Sequence, residues 1–366
     1  MKIALVHDYL NQFGGAERVL EAFSEIFPNA PIYTLIHDPK KVRGVFSNKK
    51  IRTSFLQKIP LVKSYHRIFP FLMPIAIEQF NLSDYDVVLS DSASFAKGVI
   101  TGPETLHICY CHTPPRYAWD DSHKYIEEYG FPRIIKRLIP LFMNYIRIWD
   151  REAALRADEL ICNSKFVAKR IKKYYNRKAS VIYPPVDTKN FCPSMGLADD
   201  YFVMVGRLLS YKRFDIAIKA FNKLKKPLKI IGDGPEMKKL KKLAKKNIEF
   251  LGELSGEKLR EYYQNCKALI FPQEEDFGIV ALEAMACGRS VIAYRGGGAL
   301  ESIKEGETGI FFNEQTPESL IKVIKSFRAD NFDSQKIRKR ALKFSKEKFK
   351  KKIKEFVERS YYDYRH

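Results

Sequence analysis

The chain has no paired cysteine spacing: Cys109, Cys111, Cys162, Cys192, Cys266 and Cys287 lie scattered through 366 residues. That excludes a disulfide framework. Cys109, Cys111 and His112 do not make a zinc site either, since no second pair completes a set of four ligands. Long apolar runs are missing too. The longest, roughly Ile68 to Ile77, is about half of what a bilayer requires and contains Pro70 and Pro74. The opening MKIALVHDYL turns polar too early for a signal peptide. From these absences we expect a reducing, cytoplasmic protein whose only membrane contact is peripheral. Acids are also scarce: 43 Asp and Glu stand against 64 Lys and Arg, a formal charge of +21. Such an excess points to phosphorylated ligands, acidic lipid surfaces or nucleic acid, and its sign alone does not choose among them.

What is present is ample apolar material, 45% of a chain longer than one core usually serves, so two domains are expected. Lys2–Val6 reads as a buried strand, and Gly14-Gly15 followed by AERVLEAFSEIF as a glycine turn and helix. Further strands are expected at Val87–Ser90, Leu106–Cys111, Glu159–Asn163 and Ala179–Tyr183, with helical patterns between several of them. The pattern stops near Tyr183-Pro184-Pro185. It resumes at Tyr201–Val205, Leu228–Ile231, Ile248–Phe250, Ala268–Phe271 and Ser290–Ala293. Each half therefore reads as a parallel α/β sheet, with expected bounds of 1–185 and 186–345 and a Lys-rich helix over 346–366.

The stretch Pro272–Ala293 carries the most chemistry. After a strand ending at Phe271 comes an acidic loop; Gly278 permits a tight turn, and a helix opens at Ile279. Its N-terminus directs amides and a positive dipole end at whatever lies above the strand, the place for a diphosphate. Glu275 at the loop mouth can bind sugar hydroxyls, and Glu283 can take the two vicinal hydroxyls of a ribose. The spacing alone fits capping and solvation equally well. In the first half, Cys109–Asp120 (CYCHTPPRYAWD) ends a strand with His112 and fixes the following loop with two prolines.

These features resemble the GT-B glycosyltransferases with an E-x7-E signature, family 4, over nearly the whole chain. The nearest subgroup includes bacterial O-antigen mannosyltransferases, with which it shares His7, Asp8, Gly14–Val19 and His112–Trp119. The resemblance implies an α/β fold of two Rossmann-like domains facing each other across a cleft, with the C-terminal helix returning to the N-terminal domain. It implies a retaining, metal-independent hexosyltransferase that has no cofactor and uses a nucleotide sugar, by subgroup GDP-mannose. By the same likeness Gly14 and Gly15 approach the donor phosphates, and Arg207 and Lys212 in VGRLLSYK hold them. Gly232 and Gly234 in IGDGPE, with Leu254, line the base pocket. Glu275, Phe277, Gly278, Ile279 and Glu283 complete the donor site, and a Gly296-Gly297-Gly298 loop lies nearby. His112 contacts the transferred sugar, so His112, Glu275, Arg207 and Lys212 form the catalytic set. One departure is Lys212-Arg213, where many members have Lys-Gly.

Transfer by these enzymes implies front-face departure of the diphosphate, which accepts the acceptor's proton, with no carboxylate nucleophile. For the acceptor, a glycan or polyprenyl-diphosphate-linked glycan of cell-surface polysaccharide synthesis, Asp8, Lys49, Arg52, Lys58, Lys63 and Arg67 are the candidate contacts. Residues 39–77 hold nine Lys or Arg and no acid, interleaved with Phe46, Phe55, Tyr65, Phe69 and Phe71. This suits the anionic inner face of a cytoplasmic membrane as well as a solvated basic face. Other readings are a UDP-sugar-dependent transferase, a GT-B epimerase, whose acid/base groups we do not find, and a nucleic-acid-binding protein, for which no reader motif is present.

Overall fold

The computed structural model describes residues 1–366 apart from 43, 61, 63–70, 121–132, 195, 197 and 198, and over 133–138 the helical backbone. The chain divides into two compact units, Met1–Tyr183 with Lys350–His366, and Pro184–Phe349.

In the first unit the described strands are β1 (Ile3–Leu10), β2 (Ile32–His37), β3 (Ile51–Thr53), β4 (Val87–Ser92), β5 (Leu106–Cys111), β6 (Glu159–Cys162) and β7 (Ser180–Val181). They pair in parallel in the order β3-β2-β1-β4-β5-β6-β7. The order reverses between β1 and β4, the point at which open α/β sheets leave a crevice beyond the carboxyl ends of their strands. β1 runs to Leu10, four residues past the expected end at Val6. Its polar continuation is tolerated because His7 and Asp8 are both partnered within the fold. The helix Gly15–Ile26 buries Val19, Leu20 and Phe23, and the Phe23 ring meets Tyr110 of β5 edge-on at 5.8 Å. Such fully buried apolar side chains stabilise the fold by roughly 2 kcal/mol each.

The second unit repeats the scheme with β8 (Phe202–Val205), β9 (Leu228–Ile231), β10 (Ile248–Gly252), β11 (Ala268–Phe271), β12 (Ser290–Tyr294) and β13 (Gly309–Phe312), parallel in the order β10-β9-β8-β11-β12-β13. Here the reversal lies between β8 and β11. The C-terminal helix Lys346–Arg365 rejoins the first unit, as the resemblance implies. Lys350 pairs with Glu25 at 3.0 Å, Arg365 with Glu104 at 2.9 Å, and the Tyr364 hydroxyl donates to the Pro103 carbonyl at 2.6 Å. Among the described residues no helix is long and apolar enough to cross a membrane.

Candidate functional site

In the second unit the loops after β8 and β11 flank the reversal point. β8 leads through Arg207, which is exposed, into a 3-10 turn at Ser210–Lys212; β11 leads through Pro272–Phe277 to Gly278 and the helix Ile279–Ala286. These loops bring Lys212 and Glu275 together as an ion pair, each side chain about one-sixth exposed. Gln273 Nε2 donates to the same Glu275 oxygen at 3.2 Å, and the Gly298 N–H holds the Glu275 carbonyl at 2.8 Å. Gly278 caps the helix at φ +89°, and a Cβ there would sit 2.8 Å from the Phe271 ring, so glycine is required on both counts.

The IGDGPE turn packs closely against the backbone that follows β8. A Cβ on Gly232 would lie 2.0 Å from the Gly206 carbonyl oxygen, and one on Gly234 2.6 Å from that of Leu208. Backbone bonds from Gly206 N to Ile231 O (3.0 Å) and Leu208 N to Asp233 O (2.9 Å) complete the contact. The two glycines thus set the backbone that carries Arg207. Arg213 explains the family's preference for glycine, since its φ is +54°, a left-handed conformation that costs a side chain about 1 kcal/mol. Its guanidinium is held by Asp215 at 3.2 Å.

The two glutamates differ in setting. Glu283 is 1% exposed and accepts the hydroxyl of fully buried Tyr263 at 3.0 Å, whereas Glu275 is partly exposed. Phe277 is buried with its ring 5.6 Å from that of Phe344, Ile279 is half-buried at the helix start, and Leu254 half-buried in the loop after β10.

In the first unit the ends of β1, β4 and β5 converge. His7 and Asp91 are register partners on adjacent strands, and His7 Nδ1 lies 2.8 Å from Asp91 Oδ2. The other Asp91 oxygen is 2.5 Å from His112 Nε2. On its far side His7 Nε2 faces Glu17 Oε1 at 3.7 Å, while Glu17 Oε2 accepts the Gly14 N–H at 2.7 Å and caps the helix. Burial alone would pull the His7 pKa down, but Asp91 and Glu17 together raise it to about 10. Against the opposing effect of burial, His112 and then His7 lower the carboxyl of Asp91, and His7 lowers that of Glu17. At neutral pH a cation therefore sits between two carboxylates. The Gly14 N–H is committed to Glu17.

The rest of the CHTPPRYAWD motif is anchored, leaving His112 as a partly exposed group at the strand end. Arg170 bonds the Thr113 hydroxyl and pairs with Asp120, and it donates to the Pro114 carbonyl at 3.0 Å. Trp119 stacks on Tyr174 at 4.7 Å and donates Nε1–H to Asp150 at 2.8 Å. Arg170, Asp150 and Asp91 do not stand out in the sequence, and Glu17 does so only as part of the Gly14–Val19 stretch.

Two acceptor candidates are corrected. Asp8 is 4% exposed and accepts four backbone N–H groups, of Ala93, Ser94, Phe95 and Ala96, at 2.5–2.8 Å. It shapes the loop after β4 and has no capacity left for a ligand. Lys49 donates to the carbonyls of Ser24 and Pro28, both at 2.8 Å, and so closes the C-terminal end of the helix Gly15–Ile26. Phe46, from the basic-aromatic segment, is likewise buried in the core. Arg52 is exposed and bonds the Tyr33 hydroxyl at 2.7 Å, and Lys58 is exposed. Lys63, Arg67, Tyr65 and Phe69 lie outside the described residues.

Comparison with known proteins accords with this geometry. The glycosyltransferase family 4 model matches residues 13–190, and that of the glycosyl transferases group 1 matches residues 195–348. An uncharacterized glycosyltransferase of Methanocaldococcus jannaschii is 32% identical over 179 residues, a match that spans 48% of this chain and half the length of that protein. The alpha-1,3/1,6-mannosyltransferase ALG2 of Dictyostelium discoideum is 25% identical, with 86% of each chain covered. The fold is that of Anabaena HepE, crystallised with UDP and glucose: TM-score 0.75, 18% identity, 98% of this chain and 99% of that one covered. Two family matches laid end to end over two sheets of the same topology make this chain a member of the GT-B glycosyltransferases.

Proposed function

We propose that the protein is a retaining, metal-independent hexosyltransferase that moves mannose from GDP-mannose to a glycan or polyprenyl-diphosphate-linked glycan. The observation that carries this is the meeting of Lys212 with Glu275 beside the Gly278 helix terminus at the reversal point of the second sheet. The leaving diphosphate gains charge as the glycosidic bond breaks; Arg207, Lys212 and the helix dipole stabilise that charge without a metal ion. Glu275 turns to the sugar hydroxyls once the diphosphate takes Lys212. Glu283 holds the ribose, and its link to Tyr263 fixes the carboxylate's direction. His112 contacts the sugar, and the departing diphosphate accepts the acceptor's proton. The likeness to ALG2 supports mannose. A UDP-hexose donor is the second reading, favoured by the UDP and glucose in the HepE crystal.

A thermal-shift screen against GDP, UDP, GDP-mannose and UDP-glucose tests the proposal. Ligand at a hundredfold excess over its dissociation constant adds about 2.7 kcal/mol to stability, and we expect this for GDP-mannose and its loss in Glu283→Ala. A shift with UDP species alone would move the donor to the second reading, and no shift with any nucleotide would end the transferase proposal.

The acceptor reading adds peripheral contact with an anionic inner membrane face. Phe55, Phe71 and Ile75 are exposed, and the helix Arg133–Arg156 exposes Leu141, Tyr145 and Ile148 at helical spacing, an apolar strip beside basic residues. Flotation with vesicles containing phosphatidylglycerol is expected to carry the protein at low salt and to fail for the Tyr145→Glu/Ile148→Glu double variant. Equal flotation of the two proteins would remove this strip from the membrane contact.

A further inference from the structure

The group of charges at the reversal point of the first sheet is not used by the transferase reading beyond His112 itself. Asp91 is fully buried, and its two oxygens face two different imidazoles, Oδ2 that of His7 and Oδ1 that of His112. An ionised carboxylate only accepts hydrogen bonds. Both nitrogens turned to it, His7 Nδ1 and His112 Nε2, must therefore carry hydrogens. His7 has a second acidic neighbour, Glu17 at 3.7 Å from Nε2, so it holds two protons and balances one of the two carboxylates. His112 has no such second carboxylate among its described ion pairs. An imidazole that carries its one hydrogen on Nε2 presents a lone pair at Nδ1.

We propose that Asp91, clamped in place by His7 and Glu17, is a positioning residue that fixes His112 as the Nε2–H tautomer and so makes Nδ1 a hydrogen-bond acceptor for a hydroxyl of the transferred sugar. This rests on the reading of His112 as the sugar contact. It narrows that reading to a chemical class: the partner must bring a hydrogen, as a hydroxyl does, and a phosphate or carbonyl oxygen, which brings only lone pairs, is disfavoured at that atom. The clamp reaches further, because the Glu17 oxygen that does not face His7 holds the Gly14 N–H at 2.7 Å. One chain, Gly14, Glu17, His7, Asp91 and His112, buried at its three central members, thereby joins the glycine turn to His112.

Long-range proton–nitrogen NMR on protein labelled with 15N-histidine tests the tautomer without any substrate, the His112 signals being assigned by their disappearance in His112→Gln. At pH 8 we expect a protonated Nε2 and an unprotonated Nδ1 for His112, and an upfield shift of Nδ1 when a nucleotide sugar shown to bind by thermal shift is added. In Asp91→Asn we expect mixed tautomers. Its kcat should fall at least about tenfold, the order seen when a group that orients a functional imidazole is lost, with donor KM within a factor of three. A wild-type His112 protonated at Nδ1 overturns the proposal even if the variant fails to fold. So does an unchanged tautomer in a folded Asp91→Asn, or an Nδ1 signal indifferent to a bound nucleotide sugar. If no nucleotide sugar binds, the transferase reading falls, and the sugar half of this proposal with it, while the tautomer is decided by the substrate-free spectrum.

Discussion

Replacing Lys212 with alanine lowers kcat for sugar transfer by about 10²- to 10³-fold at saturating donor, the loss expected when one preorganised group that stabilises developing charge is removed. Two effects act together. On the proposed reading the leaving diphosphate loses a cation that offsets its developing charge. Glu275 also loses its ion-pair partner and keeps only the 3.2 Å bond from Gln273 among its described side-chain contacts. Arg207→Ala should show a loss of the same order, since its loop is locked to the Gly232–Gly234 turn and cannot shift to let another cation take its place. Because both cations serve one charge, the double variant should lose less than the product of the single losses. Steady-state kinetics of the four proteins decide the matter. An effect confined to KM would assign both side chains to ground-state binding, and unchanged kinetics would remove them from the site.

The candidate site of the second unit was legible because its parts are contiguous in sequence. Phe271, Glu275, Gly278 and Glu283 fall within one strand, loop and helix, and the loop's spacing records where each group must stand. β8 and β11 are short runs without a charged residue, the mark of parallel strands covered on both sides. β2, β3 and β13 went unrecognised: Thr34 interrupts the first, the second is a three-residue edge strand, and the last follows only a four-residue helix, Ala299–Ser302, and a turn. The buried charges were beyond sequence reading for a physical reason. His7 and Asp91 meet across adjacent strands 84 positions apart, and nothing local to either distinguishes a partnered carboxylate from a solvated one. For the same reason Asp8, adjacent in sequence to a ligand-type motif, reads as an acceptor contact until its four N–H donors are seen.

A second buried pair shows how much stability such hidden charges hold. Lys97 is fully buried; its ammonium lies 2.5 Å from Asp150 Oδ1 and also bonds the Ser94 carbonyl. Burial opposes its charge, yet Asp150 and its other neighbours more than offset this and hold the Lys97 pKa above the ordinary value. Asp150 in turn accepts Trp119 Nε1 at 2.8 Å and the Tyr175 hydroxyl at 2.7 Å. Lys97→Met keeps most of the side-chain volume and leaves the carboxylate buried without a cation, a change that costs about 3–5 kcal/mol. For a unit of this size that corresponds to a fall of roughly 10 °C in its melting temperature. Adding Asp150→Asn removes the orphaned charge while keeping an oxygen that can still accept from Trp119 or Tyr175, so the double variant should melt above the single one. Calorimetry separates the outcomes: a Lys97→Met protein within about 0.5 kcal/mol of wild type would mean that water or a neighbouring group replaces the cation. Because Trp119 hangs from Asp150 and closes the loop that follows His112, the single variant should lose activity at temperatures below its melting transition. The double variant should recover part of that loss along with its stability.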